Sequence, residues 1–182
     1  MGDNQVADRH SNEPRRKAPQ PLYTPDELRR RNESPWTLVQ GVLAPLQFLV
    51  FLVSLALVLR YLAYGTGLHA ATVSVVIKTF VLYTIMVTGA IWEREVFGRY
   101  LFARAFFWED VVSMFVIALH TAYLAAVTYG WLGPRGQMLI ALSAYLTYAV
   151  NATQFVLKLR AARLVQRSTP DAIDAAFAGA SR

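Results

Sequence analysis

Four long, nearly charge-free stretches occupy nearly half of the chain, at residues 42–59, 70–92, 111–134 and 136–157. The second stretch contains one charged residue, Lys78, and the third contains one ionisable residue, His120. About 20 consecutive apolar residues cross a bilayer as a helix, whereas buried helices of soluble proteins are usually shorter and keep a polar stripe. The pattern therefore predicts an all-α polytopic membrane protein, a bundle of four transmembrane helices near residues 37–61, 70–93, 109–130 and 136–158.

These spans divide the chain into four predicted regions. They are a disordered tail (1–21), a short basic helix at the membrane surface (22–35), the transmembrane domain (36–164) and a C-terminal tail (165–182). The short helix is predicted from Thr24-Pro25-Asp26-Glu27, in which Thr24 caps the helix and Glu27 completes a capping box. Thr169-Pro170-Asp171 indicates a further short helix in the C-terminal tail.

Composition and charge placement support a membrane location. Of the 182 residues, 55% are hydrophobic and 16% are charged, against about 25% charged in ordinary soluble domains. The absence of cysteine excludes a disulfide scaffold and a cysteine nucleophile. Of 18 lysines and arginines, 15 lie in the N-terminal segment, the 94–108 loop and the C-terminal segment. The positive-inside rule then predicts that both termini are cytoplasmic, so the net charge of +6 needs no nucleic acid to explain it.

Polar side chains recur inside the predicted spans, where they are unfavourable without a partner. In the first span Gln40, Gln47, Ser54 and Tyr61 repeat every seven residues and share one face of the helix. Such a stripe either forms hydrogen bonds between helices or lines a polar ligand pocket.

Two ionisable residues lie deeper in the predicted membrane. Lys78 is about 12 Å from the outer end of its span, so it either snorkels or pairs structurally, or it binds an acidic ligand. His120 lies near the midplane and shares a helix face with Glu109 and Ser113. It is either a hydrogen-bonded core residue or a ligand or proton-transfer group.

Residues 92–110 bring four acidic residues to the ends of two spans. Glu93 and Glu95 end the second span, where the helix dipole disfavours them, and Glu109 and Asp110 begin the third, where it favours them. Either the loop arginines Arg94, Arg99 and Arg104 form salt bridges with these acids, or the carboxylates border a cytoplasm-facing cleft in which a buried, protonated one acts as an acid.

Motifs of the familiar soluble enzyme classes are missing from the sequence. It has no Gly-rich phosphate loop, nucleophile elbow, metalloprotease motif or pair of well-placed haem-ligating histidines. It also shows no inverted repeat, which a small transporter would be expected to have.

A long continuous pattern resembles the vinyl bacteriochlorophyllide hydratases (chlorophyllide a 3¹-hydratases) of bacteriochlorophyll biosynthesis. The resemblance runs from about residue 23 to residue 164. It is carried by YTPDELRRR, WTLVQGVLAPLQFLVFLVSLALVLRYL, VIKTFVLYTIMVTGAIWEREVFGRYLFARAFFWEDVVSMFVIALHTAY, GPRGQM and YAVNATQFVLKLRAAR.

The resemblance implies a hydro-lyase that adds water to the C3 vinyl group of a chlorophyllide and gives a 1-hydroxyethyl group. It implies a multi-pass protein of the bacterial inner membrane, cytoplasmic or intracytoplasmic, and no cofactor or protein-bound metal. The expected partners are the tetrapyrrole substrate, membrane lipid and other pigment-biosynthesis enzymes, but no nucleic acid. The alternative is a non-enzymatic pigment-binding or assembly protein of the same architecture.

Residue roles follow from the chemistry, because the resemblance assigns none. Hydration of a conjugated vinyl group needs an acid, a base for water and an apolar slot. The candidate catalytic residues are Glu93, Glu109, Asp110 and His120, the last as a base or as a ligand of the substrate's magnesium. Glu109 and His120 are about 16 Å apart along a helix, too far to act directly on one vinyl group. The candidate substrate-binding residues are Lys78, Tyr83, Trp108, Tyr148 and Asn151. Either Lys78 or a loop arginine would hold the substrate carboxylate, and the aromatic side chains would stack on the macrocycle.

Overall fold

The computed structural model describes residues 22–180, with side chains described through residue 163. The predicted tail at residues 1–21 lies outside this range. The described part contains five α-helices and no β-strand, which confirms the all-α prediction. The helices are α1 (Pro25–Glu33), α2 (Pro35–Tyr64), α3 (Leu68–Phe97), α4 (Phe107–Thr128) and α5 (Pro134–Ala180).

Four of the helices in the described range are long and apolar enough to cross a membrane, as predicted. They are α2, α3, α4 and the Pro134–Arg163 part of α5. Large apolar side chains such as Leu49, Phe80 and Leu146 are exposed on the outside of the bundle, where lipid would cover them. Helix α5 continues without a break to Ala180, whereas a separate short helix starting near Thr169 is the sequence prediction. The cytoplasmic placement of both termini stays a prediction.

The helix ends form where the sequence places its caps. The Thr24 hydroxyl accepts a hydrogen bond from the Glu27 amide while the Glu27 carboxylate accepts one from the Thr24 amide, which confirms the capping box. Ser34 caps α2. Gly65 and Gly98 end α2 and α3 with φ of 72° and 77°, a left-handed conformation that glycine adopts without steric penalty.

Side-chain hydrogen bonds connect α2 and α3 along their length. Gln40 Nε2 donates to Thr88 Oγ1 over 2.8 Å, and the Ser54 and Ser74 hydroxyls are 2.7 Å apart. Ser54 also bonds the Tyr145 hydroxyl of α5 over 2.6 Å. The polar stripe of the first span therefore faces the bundle, as its seven-residue spacing predicts.

The two ends of the bundle are packed differently. At the end where α2 finishes and α3 begins, the helices enclose a continuous core that includes Val58, Val75, Tyr123, Met138 and Tyr145. At the opposite end the same helices surround a large cavity. The fold thus keeps one half of the bundle closed and opens the other half to a ligand.

Candidate active site

The cavity has a volume of about 660 Å³, within the range of about 300–1,000 Å³ that is usual for small-molecule sites. It lies among the first half of α2, the last half of α3, the start of α4 and the Tyr148–Leu159 part of α5. Pro45 and Gly41 line its α2 wall. Because Pro45 has no amide hydrogen, it cannot bond the Gly41 carbonyl within the helix, and this leaves a backbone acceptor in that wall.

Two carboxyl groups meet in the wall of the cavity. Glu93 of α3 and Asp110 of α4 are 5% and 3% exposed, both line the cavity, and they bind to consecutive amides of one turn. Two carboxyl groups held this close repel each other when both are ionised, so one proton between them is favoured. The pair therefore has the composition of an acid and its conjugate base held together.

The loop between α3 and α4 holds this pair with its backbone. The amide of Phe102 donates to Asp110 Oδ2 over 2.7 Å, and the next amide, of Ala103, donates to Glu93 Oε2 over 3.3 Å. Phe102 has a φ of 60°, which is rare for an aromatic residue and persists only where the surroundings enforce it.

The salt bridges between loop arginines and these acids, one of the two alternatives that the sequence leaves open, do not form within the described range. Instead, Glu95 accepts a hydrogen bond from the Ser34 hydroxyl over 2.7 Å, and Glu109 pairs with Lys158. Within the described residues the Glu93–Asp110 pair therefore has no arginine partner and contacts the backbone amides of Phe102 and Ala103.

Uncharged polar groups also line the cavity. Asn151 Nδ2 donates to Ser113 Oγ over 2.8 Å, and Asn151 Oδ1 has no partner among the side chains and backbone that the structure describes. Gln47 is 2% exposed, and neither of its amide atoms has a partner in the same part of the chain. These groups offer hydrogen bonds to whatever occupies the cavity.

Aromatic rings form much of the remaining wall, mainly near Glu93. The Phe106 ring stacks on Phe155 with centroids 5.8 Å apart and meets Trp92 edge-on at the same distance. Tyr23, just before α1, stacks on Phe97, and the Arg31 guanidinium lies 5.2 Å above the Tyr23 ring. Burial raises the pKa of Tyr23, an effect that the Arg31 charge opposes, so Tyr23 offers a neutral phenol to the cavity at neutral pH.

The structure separates the predicted catalytic residues. Glu93 and Asp110 line the cavity, whereas Glu109 and His120 are not among its lining residues. Glu109 instead pairs with α5, where the Lys158 ammonium donates to its carboxylate over 2.6 Å. His120 Nδ1 donates to the Val116 carbonyl over 2.8 Å, and Nε2 is buried without a partner in the described residues.

The predicted substrate-binding residues are also divided. Tyr148 and Asn151 line the cavity. Lys78 is fully buried behind Tyr148, with its ammonium 3.9 Å from the ring centre and no hydrogen-bond acceptor among residues 22–163. Tyr83 bonds Thr121 over 2.7 Å and Trp108 is 70% exposed, and neither lines the cavity.

Several groups that line the cavity or hold its carboxyl pair could not be identified from the sequence. The Phe102 and Ala103 amides act through a turn that no motif marks. Phe155 and Met86 are apolar residues like many others in these spans. Arg31 belongs to a basic run that the sequence pattern assigns to a helix at the membrane surface.

Comparisons with known proteins identify the family. The family model described as 2-vinyl bacteriochlorophyllide hydratase (BCHF) matches residues 23–161. The chain is similar to the 2-vinyl bacteriochlorophyllide hydratase of Cereibacter sphaeroides, with 67% identity over 79% of this chain and 89% of that protein. It is also similar to the protein of the same name from Rhodobacter capsulatus, with 61% identity over 88% of this chain and 93% of that protein. No solved structure matches the chain. The matched residues include the cavity, its carboxyl pair and nearly all of the four spans. The chain therefore belongs to the 2-vinyl bacteriochlorophyllide hydratase family.

Proposed function

We propose that this protein is a membrane hydratase that adds water to the vinyl group of a chlorophyllide or related bacteriochlorophyllide bound in the cavity. The vinyl position numbered 2 in the relatives' names is C3 in the other common numbering. The observation that carries the proposal is the buried Glu93–Asp110 pair, held by the Phe102 and Ala103 amides in the wall of a largely apolar cavity of about 660 Å³. The names of both relatives favour this activity over a non-enzymatic pigment-binding protein.

The carboxyl pair can supply both proton transfers. The shared proton passes to the terminal carbon of the vinyl group, and the double-bond electrons form the new C–H bond. The cation left on the inner carbon is delocalised into the macrocycle. A water oxygen then bonds to that carbon and returns a proton to the pair, so the enzyme regains its starting protonation state and the product gains one water.

Ser113 and Asn151 are suited to position the attacking water. Ser113 is on the same helix as Asp110, three residues further along, and its hydroxyl accepts from Asn151 Nδ2. The free Asn151 Oδ1 is an acceptor in the cavity wall and would hold one water hydrogen. The apolar remainder of the wall limits the number of waters that can trap the cation.

The other predicted residues take supporting roles in this proposal. Lys78 lies behind Tyr148 and would attract the substrate carboxylate, while Tyr148 stacks on the macrocycle. His120 Nε2 keeps a lone pair because Nδ1 donates to Val116, but His120 does not line the cavity, so the geometry gives no support to a contact with the substrate's magnesium. Glu109 acts as a positioning residue through its ion pair with Lys158. The geometry gives no support to a substrate contact by Tyr83 or Trp108.

The substrate would enter from the lipid. Phe48 of α2 and Val156 of α5 both line the cavity and are 48% and 63% exposed, so the cavity reaches the lipid-facing surface between these helices. A flat amphipathic tetrapyrrole dissolved in the membrane fits this route. We place the protein in the bacterial cytoplasmic or intracytoplasmic photosynthetic membrane, in contact with lipid and with other pigment-biosynthesis enzymes.

Membranes containing the protein should convert chlorophyllide a to a product heavier by one water, detected by mass spectrometry. Asp110→Asn and Glu93→Gln should lower kcat by about 10²–10⁴-fold, the usual contribution of a positioned acid or base. Glu95→Gln is the matched control, because Glu95 lies on the same helix but is exposed and outside the cavity. Pigment that co-purifies unchanged with folded wild-type protein would instead support the non-enzymatic alternative.

A further inference from the structure

The cavity has a polar group at each end. Glu93 and Asp110 form one end, and Gln47 lies far from them along the bundle axis. The antiparallel pairs Gln40–Thr88 and Ser54–Ser74 set the register of α2 against α3 and place Gln47 level with Val81. Val81 is twelve residues from Glu93, a separation of about 18 Å along a helix.

Gln47 has the properties of a ligand-binding residue. Its side chain is 2% exposed, lines the cavity, and leaves both Nε2 and Oε1 without a partner in the part of the chain that is described. A buried amide without partners is unfavourable by about 1–3 kcal/mol per group. Gln40, one heptad earlier on the same face, has a protein partner in Thr88. The difference between the two glutamines indicates that Gln47 is kept for a ligand.

The spacing fits the long axis of a chlorophyllide. The vinyl group on C3 and the ketone of the fifth ring lie at opposite ends of the macrocycle. Bond lengths of 1.2–1.5 Å place the terminal vinyl carbon and the ketone oxygen about 13 Å apart. A contact of about 3 Å at each end extends this to about 19 Å, close to the difference of about 18 Å between the backbone levels of Gln47 and Glu93.

Resting on the proposed function, we propose that Gln47 Nε2 donates a hydrogen bond to the fifth-ring ketone and so sets the orientation of the substrate in the cavity. The vinyl group then lies at the Glu93–Asp110 pair. The propionate, which is attached near the ketone end, points toward Lys78, three residues deeper than Val81 on α3. Gln47 is thus a specificity-determining residue that selects tetrapyrroles with a ketone at this position.

A cycle of two substrates and two proteins tests the assignment. The substrates are chlorophyllide a and its 13¹-deoxo analogue, which lacks the ketone oxygen, and the proteins are wild type and Gln47→Leu. Loss of one buried hydrogen bond corresponds to about tenfold in kcat/KM. With the wild type, kcat/KM for the analogue should be about tenfold lower than for chlorophyllide a. With chlorophyllide a, kcat/KM of the variant should be about tenfold lower than that of the wild type. The variant should have the same kcat/KM for both substrates. Gln154→Leu, a glutamine of α5 outside this cavity, should behave like the wild type.

A vibrational measurement tests the same contact without turnover. The 3-ethyl analogue of chlorophyllide a cannot be hydrated, and its ketone stretching frequency should fall on binding to wild-type protein because the oxygen accepts a hydrogen bond. An unshifted frequency in the wild type would overturn the assignment even if Gln47→Leu did not fold. Equal losses from ketone removal in wild type and variant would overturn it too. Neither result would affect hydration itself, whereas a wild type that hydrates no vinyl tetrapyrrole would refute the proposed function.

Discussion

Replacing Lys78 with methionine should stabilise the protein while weakening substrate binding. Lys78 is fully buried, and its ammonium has no hydrogen-bond acceptor among residues 22–163. The ring of Tyr148, 3.9 Å away, is the compensating contact that the structure shows. A charge kept in this condition is unfavourable for the protein without ligand, so we expect its benefit to appear when a carboxylate is bound.

The magnitude follows from the position of the lysine. Lys78 is ten residues into the 30-residue α3, about 15 Å from its start and about a third of the way along the span. A lysine at the centre of a membrane helix is unfavourable by about 2.5–3.5 kcal/mol. The desolvated cation–π contact with Tyr148 offsets about 2 kcal/mol of this unfavourable free energy. Methionine keeps the volume without the charge, so Lys78→Met should raise the free energy of unfolding by about 1 kcal/mol, or the melting temperature by about 2–4 °C.

Thermal unfolding in detergent, followed by tryptophan fluorescence, measures this change. Lys158→Met is the matched control, because Lys158 pairs with buried Glu109 over 2.6 Å and its loss should lower stability by about 1–3 kcal/mol. Chlorophyllide should raise the melting temperature of the wild type more than that of Lys78→Met, and the methyl ester should not distinguish them. A Lys78→Met variant destabilised by several kcal/mol would show that the ammonium is paired, and would refute the reasoning.

Two further predictions concern the loop and the helix that flank the cavity. Gly98→Ala should lower the melting temperature, because an alanine at a φ of 77° is strained by roughly 1 kcal/mol. Gly133→Ala is the control, because Gly133 is not among the glycines with positive φ in the described residues. Thr24→Ala removes the capping box of α1 and should destabilise that helix by about 0.5–2 kcal/mol. Amide hydrogen exchange should become faster within Pro25–Glu33 but not within α2, and unchanged exchange in Pro25–Glu33 would contradict the prediction.

The spans could be predicted from the sequence because the bilayer imposes a simple requirement. A backbone in lipid must satisfy its own hydrogen bonds, so long apolar stretches become helices whatever their detailed packing. The helix caps were also predictable, because Thr24 and Ser34 act on amides two or three residues away. Such local rules need no knowledge of the tertiary structure.

The candidate site was predictable in its residue types but not in its pairing. Four acids near the span ends identify the region, but adjacent residues of a helix point about 100° apart, and the sequence does not say whether Glu109 or Asp110 faces the cavity. The orientation is set by two contacts: the Lys158 ammonium binds the Glu109 carboxylate, and the Phe102 amide binds the Asp110 carboxyl group. The first contact joins residues 49 apart in the chain, the second depends on a turn that no motif marks, and neither leaves a pattern in the sequence.

The position of the carboxyl pair reconciles two opposed requirements of vinyl hydration. The carbocation must be kept from bulk water, which favours a site within the membrane, yet one water must reach it in every turnover. Glu93 is four residues from the end of α3 and Asp110 three residues from the start of α4, so the pair lies about 5–6 Å inside the bundle end. A macrocycle held at Gln47 fills the apolar cavity beyond it and leaves only the vinyl group at this depth. Water then reaches the reacting carbon from the bundle end, past the carboxyl pair, while Ser113 and Asn151 lie on the inner side of that pair.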